Sequence, residues 1–262
     1  MSNIRMYEIR RVLKGIKSLF MGPVDVRRRT IHEMVRIMAW RMGGHYVGDD
    51  YKFWLKDEGF ANKFMELSPH NYFSMERKFA LKEFARSVRD LPGCVAECGS
   101  YVGVAAWFIA REIQGVSFYL FDSFEGLSMP EGKDCSPEGV PQWKSGDMAV
   151  SEDVLKKNLR DFENIYVMKG WIPDRFAEVS DCQFKLVHVD VDLYQPTLDS
   201  LAFFYERMVP GGLIVMDDYG FENCPGAFAA ANEYMANRPE TIIQLPTGQG
   251  VIIRRGWIKS ME

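Results

Sequence analysis

Aspartates stand at two places in this 262-residue sequence where they can act together. Asp190 and Asp192 belong to His188-Val189-Asp190-Val191-Asp192, and Asp217-Asp218 follow 27 and 28 residues after Asp190. Each group ends a short apolar run, and a strand, a crossover helix and a second strand fill the interval. Neighbouring strands lie roughly 5 Å apart, so Asp190, Asp217 and Asp218 should emerge at one sheet edge within a few strand spacings. Carboxylates gathered there repel unless a cation neutralises them. Oxygen-only donors point to a hard ion such as Mg2+, which takes few carboxylates and completes its shell with substrate oxygens and water. The bland alternative is that these aspartates cap loops. His188 shares a side of the strand with Asp190. It would either position a hydroxyl or sit in the core with satisfied hydrogen bonds.

A second constellation lies upstream. Glu97-Cys98-Gly99-Ser100-Tyr101-Val102-Gly103 follows a strand and opens a helix. Glycines there let the backbone turn tightly and approach a ligand, while the N–H groups of the helix start face outward. Asp122 ends the next strand 19 residues after Gly103, in Phe121-Asp122-Ser123-Phe124, where it could accept hydrogen bonds from ribose hydroxyls. The pair points to an adenosine-containing cofactor and leaves NAD and S-adenosylmethionine open. The carboxylates choose S-adenosylmethionine. A nicotinamide oxidoreductase would carry the fuller Gly-x-Gly-x-x-Gly signature and commonly a Tyr-x-x-x-Lys pair, neither of which the sequence contains.

The elements that must position these residues alternate from Cys94 onward. Apolar runs at 94–98, 116–121, 164–168, 184–191 and 212–216 read as strands, with helical patterns between them at 103–113, 151–161, 196–208 and 225–237. That alternation means a parallel sheet covered on both faces. Runs 241–245 and 250–254 are close enough to form only a hairpin, so the last strand should be antiparallel. Segment 123–150 is rich in proline and glycine without periodicity, and reads as part of the active-site wall. Upstream, 4–20 and 26–42 read as helices, and Ser74 reads as the N-cap of a third that ends near Arg89. Tyr51, Phe53, Trp54, Phe60, Tyr72 and Trp143 are candidates to cover the site or to fill a small core of a cap.

Composition bounds the rest. With 47% hydrophobic residues and a net charge of −4, the chain is an ordinary globular protein with no call for a nucleic-acid partner. Residues 1–41 hold ten Arg/Lys against three Asp/Glu, a charge of +7 that leaves −11 for the remainder. This basic segment reads first as a packing helix, in a dimer or against the sheet domain, ahead of attachment to an anionic membrane. The odd count of five cysteines argues for free thiols in a reducing compartment. No signal-peptide pattern and no apolar stretch of roughly 20 residues occurs, so the cytoplasm is expected.

Several of these motifs, in order, resemble the macrocin O-methyltransferase family. They are Glu97-Cys98-Gly99, Asp122-Ser123-Phe124-Glu125-Gly126-Leu127, Lys169-Gly170-Trp171, Asp190-Val191-Asp192-Leu193-Tyr194, Pro210-Gly211-Gly212, Asp217-Asp218-Tyr219 and Cys224-Pro225-Gly226. The similarity runs from about residue 72 to 254. Asp174-Arg175-Phe176 departs from the family's Asp-Thr-Leu, and 128–147 has no match. The resemblance implies a Rossmann-like class I α/β fold, a mixed seven-stranded sheet with an antiparallel last strand, preceded by an N-terminal helical cap. The expected division is 1–73 for the cap and 74–262 for the methyltransferase domain. It implies S-adenosylmethionine held by Glu97, Gly99, Ser100, Tyr101, Gly103, Asp122 and Ser123. It also implies Mg2+ on Asp190, Asp217 and Asp218, with Asp190 as general base. The expected acceptor is a sugar hydroxyl, as part of a vicinal diol, in a natural product or surface glycan, with a catechol or phenol as the alternative. A non-catalytic membrane-surface protein is the remaining rival, and it should have lost these carboxylates.

Overall fold

The structure is a computed structural model that describes residues 17, 19–43, 54, 56–67, 75–136 and 139–256. Contacts divide the chain into two units, Met1–Phe53 and Trp54–Glu262. In the first, α1 (Val24–Arg41) follows Pro23, and its Ile31, Met34, Val35 and Met38 are spaced along one face and exposed. Of the helix expected over 4–20, residues 4–16 and 18 lie outside the described residues, as does Ser74.

The second unit is built on a sheet of β1 (Cys94–Cys98), β2 (Phe118–Asp122), β3 (Ile165–Lys169), β4 (Phe184–Val189), β5 (Met208–Met216), β6 (Ile243–Gln244) and β7 (Gly250–Ile253), in the order β3-β2-β1-β4-β5-β7-β6. The pairs among β1 to β5 are parallel, and β7 runs antiparallel to both β5 and β6. This is the expected mixed seven-stranded sheet. Around it lie α2 (Glu58–Leu67), α3 (Met75–Val88), α4 (Val104–Glu112), α5 (Glu152–Asn158), α6 (Tyr194–Phe204) and α7 (Pro225–Met235).

Strand alternation sets the two layers. Ala96, Val187 and Ile214 point to one face, where Leu201 and Phe204 of α6 and Ala231 of α7 cover them. Val95, Leu186 and Leu213 point to the other, under Leu81 and Ala85 of α3 and Ala106 and Ile109 of α4. The central β4 is buried at every residue, as a parallel strand with helices on both sides must be. Each large apolar side chain buried there contributes about 1.5–3 kcal/mol.

Segment 58–67, read from the sequence as part of a 1–73 cap, packs with the sheet unit. Phe60, Phe64 and Leu67 are buried against Val104 and Phe108 of α4, and the Phe60 and Phe108 rings lie 4.6 Å apart. Trp54 joins this core through Phe79. Trp54 and Phe60 therefore hold the helix down. Tyr51, Phe53 and Tyr72 lie outside the described residues.

Candidate active site

The strand order reverses between β1 and β4, and a crevice opens beyond their carboxyl ends at that point. One cavity of about 570 Å3 fills it.

Its first wall is the loop after β1. Gly99 has φ +80°, and a Cβ there would sit 1.8 Å from the carbonyl oxygen of Asp190, so only glycine lets β1 and β4 close up at this point. Gly103, also left-handed, caps α4. Glu97, Gly99, Ser100, Tyr101, Asp122 and Ser123 all line the cavity. Asp122 has a task the sequence did not reveal. Its Oδ2 accepts the N–H groups of Ser100 at 2.8 Å and Tyr101 at 2.9 Å, and its Oδ1 accepts that of Phe124 at 2.7 Å. The carboxylate thus shapes the glycine loop as well as facing the cavity. Ser123 closes a local turn, accepting from the Glu125 N–H and donating to the Gly126 carbonyl. Two polar atoms in this wall have no protein partner although buried, Glu97 Oε2 and Ser100 Oγ. Buried polar atoms are almost always paired, so a polar ligand fits here. A carboxylate and a hydroxyl suit the ammonium and carboxylate of an amino-acid-bearing cofactor.

The second wall holds Asp190, Asp192, Asp217 and Asp218. Its cations come from α3, 112 to 140 residues away in sequence. Arg77 donates to Asp217 Oδ2 at 2.6 Å, and Lys78 donates to that same oxygen and to Asp190 Oδ2, both at 3.1 Å. The other oxygen of Asp217, Oδ1, accepts from Gln249 at 2.8 Å, and His188 Nε2 lies 3.3 Å from it. His188 Nδ1 meets Glu97 Oε1 at 2.8 Å. His188 is fully buried with both nitrogens bonded, which is the core-histidine reading.

Electrostatics follow from this arrangement. Burial alone would raise the pKa of Asp217, but Lys78, His188 and Arg77 outweigh it and hold the carboxyl well below its usual range. Burial would likewise lower His188, yet its hydrogen bonds to Asp217 and Glu97 lift it to about 9, so it is an imidazolium at neutral pH. Burial raises Glu97, with His188 opposing. Asp218 and Asp192 lack such cover. Arg77, 3.9 Å from Asp218 Oδ1, is a more distant cation than those on Asp217, and Asp218 Oδ2 accepts the Asp192 N–H at 3.0 Å. Burial, then Asp192 and Asp190, push Asp218 well above the usual range. Burial and Asp190 push Asp192 up to about 7. The Cys224 thiol donates to Asp192 Oδ1 at 3.4 Å.

A hard cation can be tested against these donors. Ligand atoms of His188, Asp190 and Asp217 come within 4.8 Å of one another, and so do those of Asp192, Asp218 and Cys224. Asp190, Asp217 and Asp218 all line the cavity, but these groups divide the expected metal set, with Asp190 and Asp217 in the first and Asp218 in the second; Asp217 has both oxygens engaged and Asp190 is paired with Lys78. Departure of Lys78 would free Asp190 for an ion, while Asp217 would share its oxygens with Arg77, Gln249 and His188.

Sequence reasoning missed Arg77, Lys78 and Gln249, and named Asp192 in the carboxylate motif without giving it a place in the site. For the first two a signal existed, since adjacent cations in the opening turns of a helix oppose its dipole and need a reason to be there. It also missed that Tyr101, Met148 and Asp192, which line the cavity, and Phe124 beside it have positive φ without being glycine. Such conformations cost of order 1–3 kcal/mol each and collect at functional sites. Loop 123–150 lines the cavity with Ser123, Gly126, Leu127, Ser128, Trp143 and Met148. Asp134 pins it by accepting the Tyr194 N–H at 2.7 Å, at the start of α6.

Known proteins resemble this chain in sequence and in fold. The family model described as Macrocin-O-methyltransferase (TylF) matches residues 69–245. The chain is 24% identical over 180 residues to the demethyldecarbamoylnovobiocin O-methyltransferase of Streptomyces niveus, covering 64% of this chain and 68% of that one. It is 27% identical over 150 residues to the 8-demethyl-8-(2,3-dimethoxy-alpha-L-rhamnosyl)-tetracenomycin-C 4'-O-methyltransferase of Streptomyces olivaceus, covering 52% and 57%. Its fold is similar to that of the O-methyltransferase NovP, with a TM-score of 0.58 at 23% identity over 71% of this chain and 84% of that one. The nicotinamide and non-catalytic alternatives fall away. With the glycine-loop wall and the carboxylate wall in one cavity, and two thirds of its length matched, the chain belongs to the macrocin O-methyltransferase family and is an S-adenosylmethionine-dependent O-methyltransferase.

Proposed function

We propose that the enzyme methylates a hydroxyl of a sugar bearing a neighbouring hydroxyl, in a natural product or surface glycan, with a divalent cation such as Mg2+ assisting. The observation that carries this reading is the single cavity with the glycine loop on one wall and four aspartates on the other. Glu97, Gly99, Ser100, Tyr101, Gly103, Asp122 and Ser123 hold the cofactor. When bound, S-adenosylmethionine supplies a sulfonium-borne methyl group to the acceptor oxygen. Asp190 is partly exposed on the cavity wall and takes the hydroxyl proton. Asp190, Asp217 and Asp218 are the residues that would hold the cation, whose chemistry there is Lewis acidity toward that oxygen. Trp143, Trp171 and Phe64 line the cavity and offer faces to a sugar ring. Holding acceptor and methyl donor in line accounts for roughly 7–11 kcal/mol of such a barrier. The rhamnosyl group in the name of the Streptomyces olivaceus relative supports a sugar acceptor. A cytoplasmic dimer completes the proposal: all five cysteines are free thiols, and a second copy would cover the exposed face of α1.

One observation favours a second assignment of the base. Asp192 lines the same cavity beside Asp190, and burial with the Asp190 charge pushes its pKa up toward the range in which a general base works best. Asp190→Asn and Asp192→Asn separate the two: the base is the residue whose loss abolishes turnover while S-adenosylhomocysteine still binds by calorimetry. The acceptor is tested with a vicinal sugar diol, the same sugar with one hydroxyl removed, and a catechol. The diol should react fastest. Equal rates with the single-hydroxyl sugar would defeat two-oxygen recognition, and preference for the catechol would replace the sugar.

A further inference from the structure

The carboxylate wall already contains a cation at its centre. Lys78 is 8% exposed, and its ammonium donates at 3.1 Å to one oxygen of Asp190 and at 3.1 Å to one oxygen of Asp217. These are two of the three residues that would hold the divalent ion. A dication drawn to them would meet the ammonium at a few ångströms, where like charges repel strongly in a partly buried site. One of the two must leave. Arg77 is not the group that moves, because its guanidinium stacks on Phe221 at 4.5 Å while it bonds Asp217. Lys78 instead has a flexible four-carbon stem and three rotatable donors.

We propose that Lys78 is a resident cation of this site, and that its ammonium and a divalent ion are alternative occupants of the space between Asp190 and Asp217. This rests on the metal part of the proposed function and adds to it. Lys78 keeps the carboxylates compensated and the wall folded when no ion is bound, and it lowers affinity for the ion by competing with it. Metal loading then requires the lysine side chain to swing out, which makes Lys78 a positioning residue for the metal rather than a ligand.

The test is calorimetric titration of Mn2+ into the chelator-treated full-length protein and into Lys78→Met and Lys78→Gln, each with a thermal melt with and without Mn2+. Both variants should bind Mn2+ at least about tenfold more tightly than the wild type. They should melt lower than the wild type in chelator and recover with Mn2+, while the wild-type melt moves little. Lys78→Gln keeps a hydrogen-bonding side chain of similar reach and covers the case in which Lys78→Met fails to fold. If wild type and variants bind Mn2+ with equal affinity, the competition is wrong and the metal reading stands. If none of them binds Mn2+ while all bind S-adenosylhomocysteine, the metal reading falls and takes this proposal with it.

Discussion

The two walls of the cavity are built on opposite principles. On the glycine-loop wall, Glu97 Oε2 and Ser100 Oγ are buried without a partner, and Asp122 is used to hold the loop open. On the carboxylate wall, Asp217 is surrounded by Arg77, Lys78, Gln249 and His188. One wall leaves polar groups unsatisfied for a ligand; the other satisfies the charge of Asp217 internally. A site can thus be prepared by withholding partners or by supplying replaceable ones. The first stores its binding energy in the ligand, the second in the fold.

This contrast predicts where mutations act. The largest effect should come from Asp217→Ala, which leaves Lys78, Arg77 and the His188 imidazolium facing one another in a buried place. Breaking a buried charge pair from one side costs about 3–5 kcal/mol, read as a loss in urea-unfolding free energy measured in chelator. A loss within experimental error would mean that the wall is wetter and less coupled than these distances imply.

Next in size is a pH effect with a defined sign. The pKa of His188 is raised in the fold from 6.5 to about 9. The folded state therefore holds a proton that the unfolded state has released, and the stabilisation is complete below pH 6.5 and is lost as pH rises through 9. Metal-free protein should lose stability, roughly 3 kcal/mol at most, between those limits. In His188→Asn that slope should be much reduced. A wild-type curve flat from pH 6.5 to 9 would show His188 neutral in the fold.

The sequence made the two walls unequally legible. The glycine loop is local: Glu97 to Gly103 form one strand-to-helix turn, and Asp122 ends the adjacent strand, so spacing alone places them together. The aspartates were legible for a related reason, since β4 and β5 are neighbours joined by one crossover. The parallel strands and the antiparallel β7 followed from the same periodicities, whereas the strand order did not. What could not be read was the compensation. Arg77 and Lys78 belong to a helix before β1, and Gln249 to the turn before β7; only packing in three dimensions sets them on Asp217. A carboxylate cluster in sequence suggested an absent cation because the present ones were far away along the chain. The placement of 58–67 was missed for the same reason, as its aromatic pattern does not say which helix it will bury against.

The smallest predicted effect makes the sharpest test of the contrast. Ser100→Ala removes a hydroxyl whose oxygen is buried and unpartnered in the ligand-free fold. Deleting an unsatisfied buried polar atom relieves a desolvation cost, so stability without ligand should be unchanged or slightly higher. Cofactor affinity should fall, because one neutral hydrogen bond contributes about 0.5–1.5 kcal/mol. Thermal melts and calorimetry with S-adenosylhomocysteine measure the two quantities separately. The stability change should differ in sign from that of Asp217→Ala, which costs stability first and impairs the site only as a consequence. If Ser100→Ala destabilises the free protein and leaves cofactor affinity intact, its hydroxyl serves the loop, and the glycine-loop wall is as self-satisfied as the other.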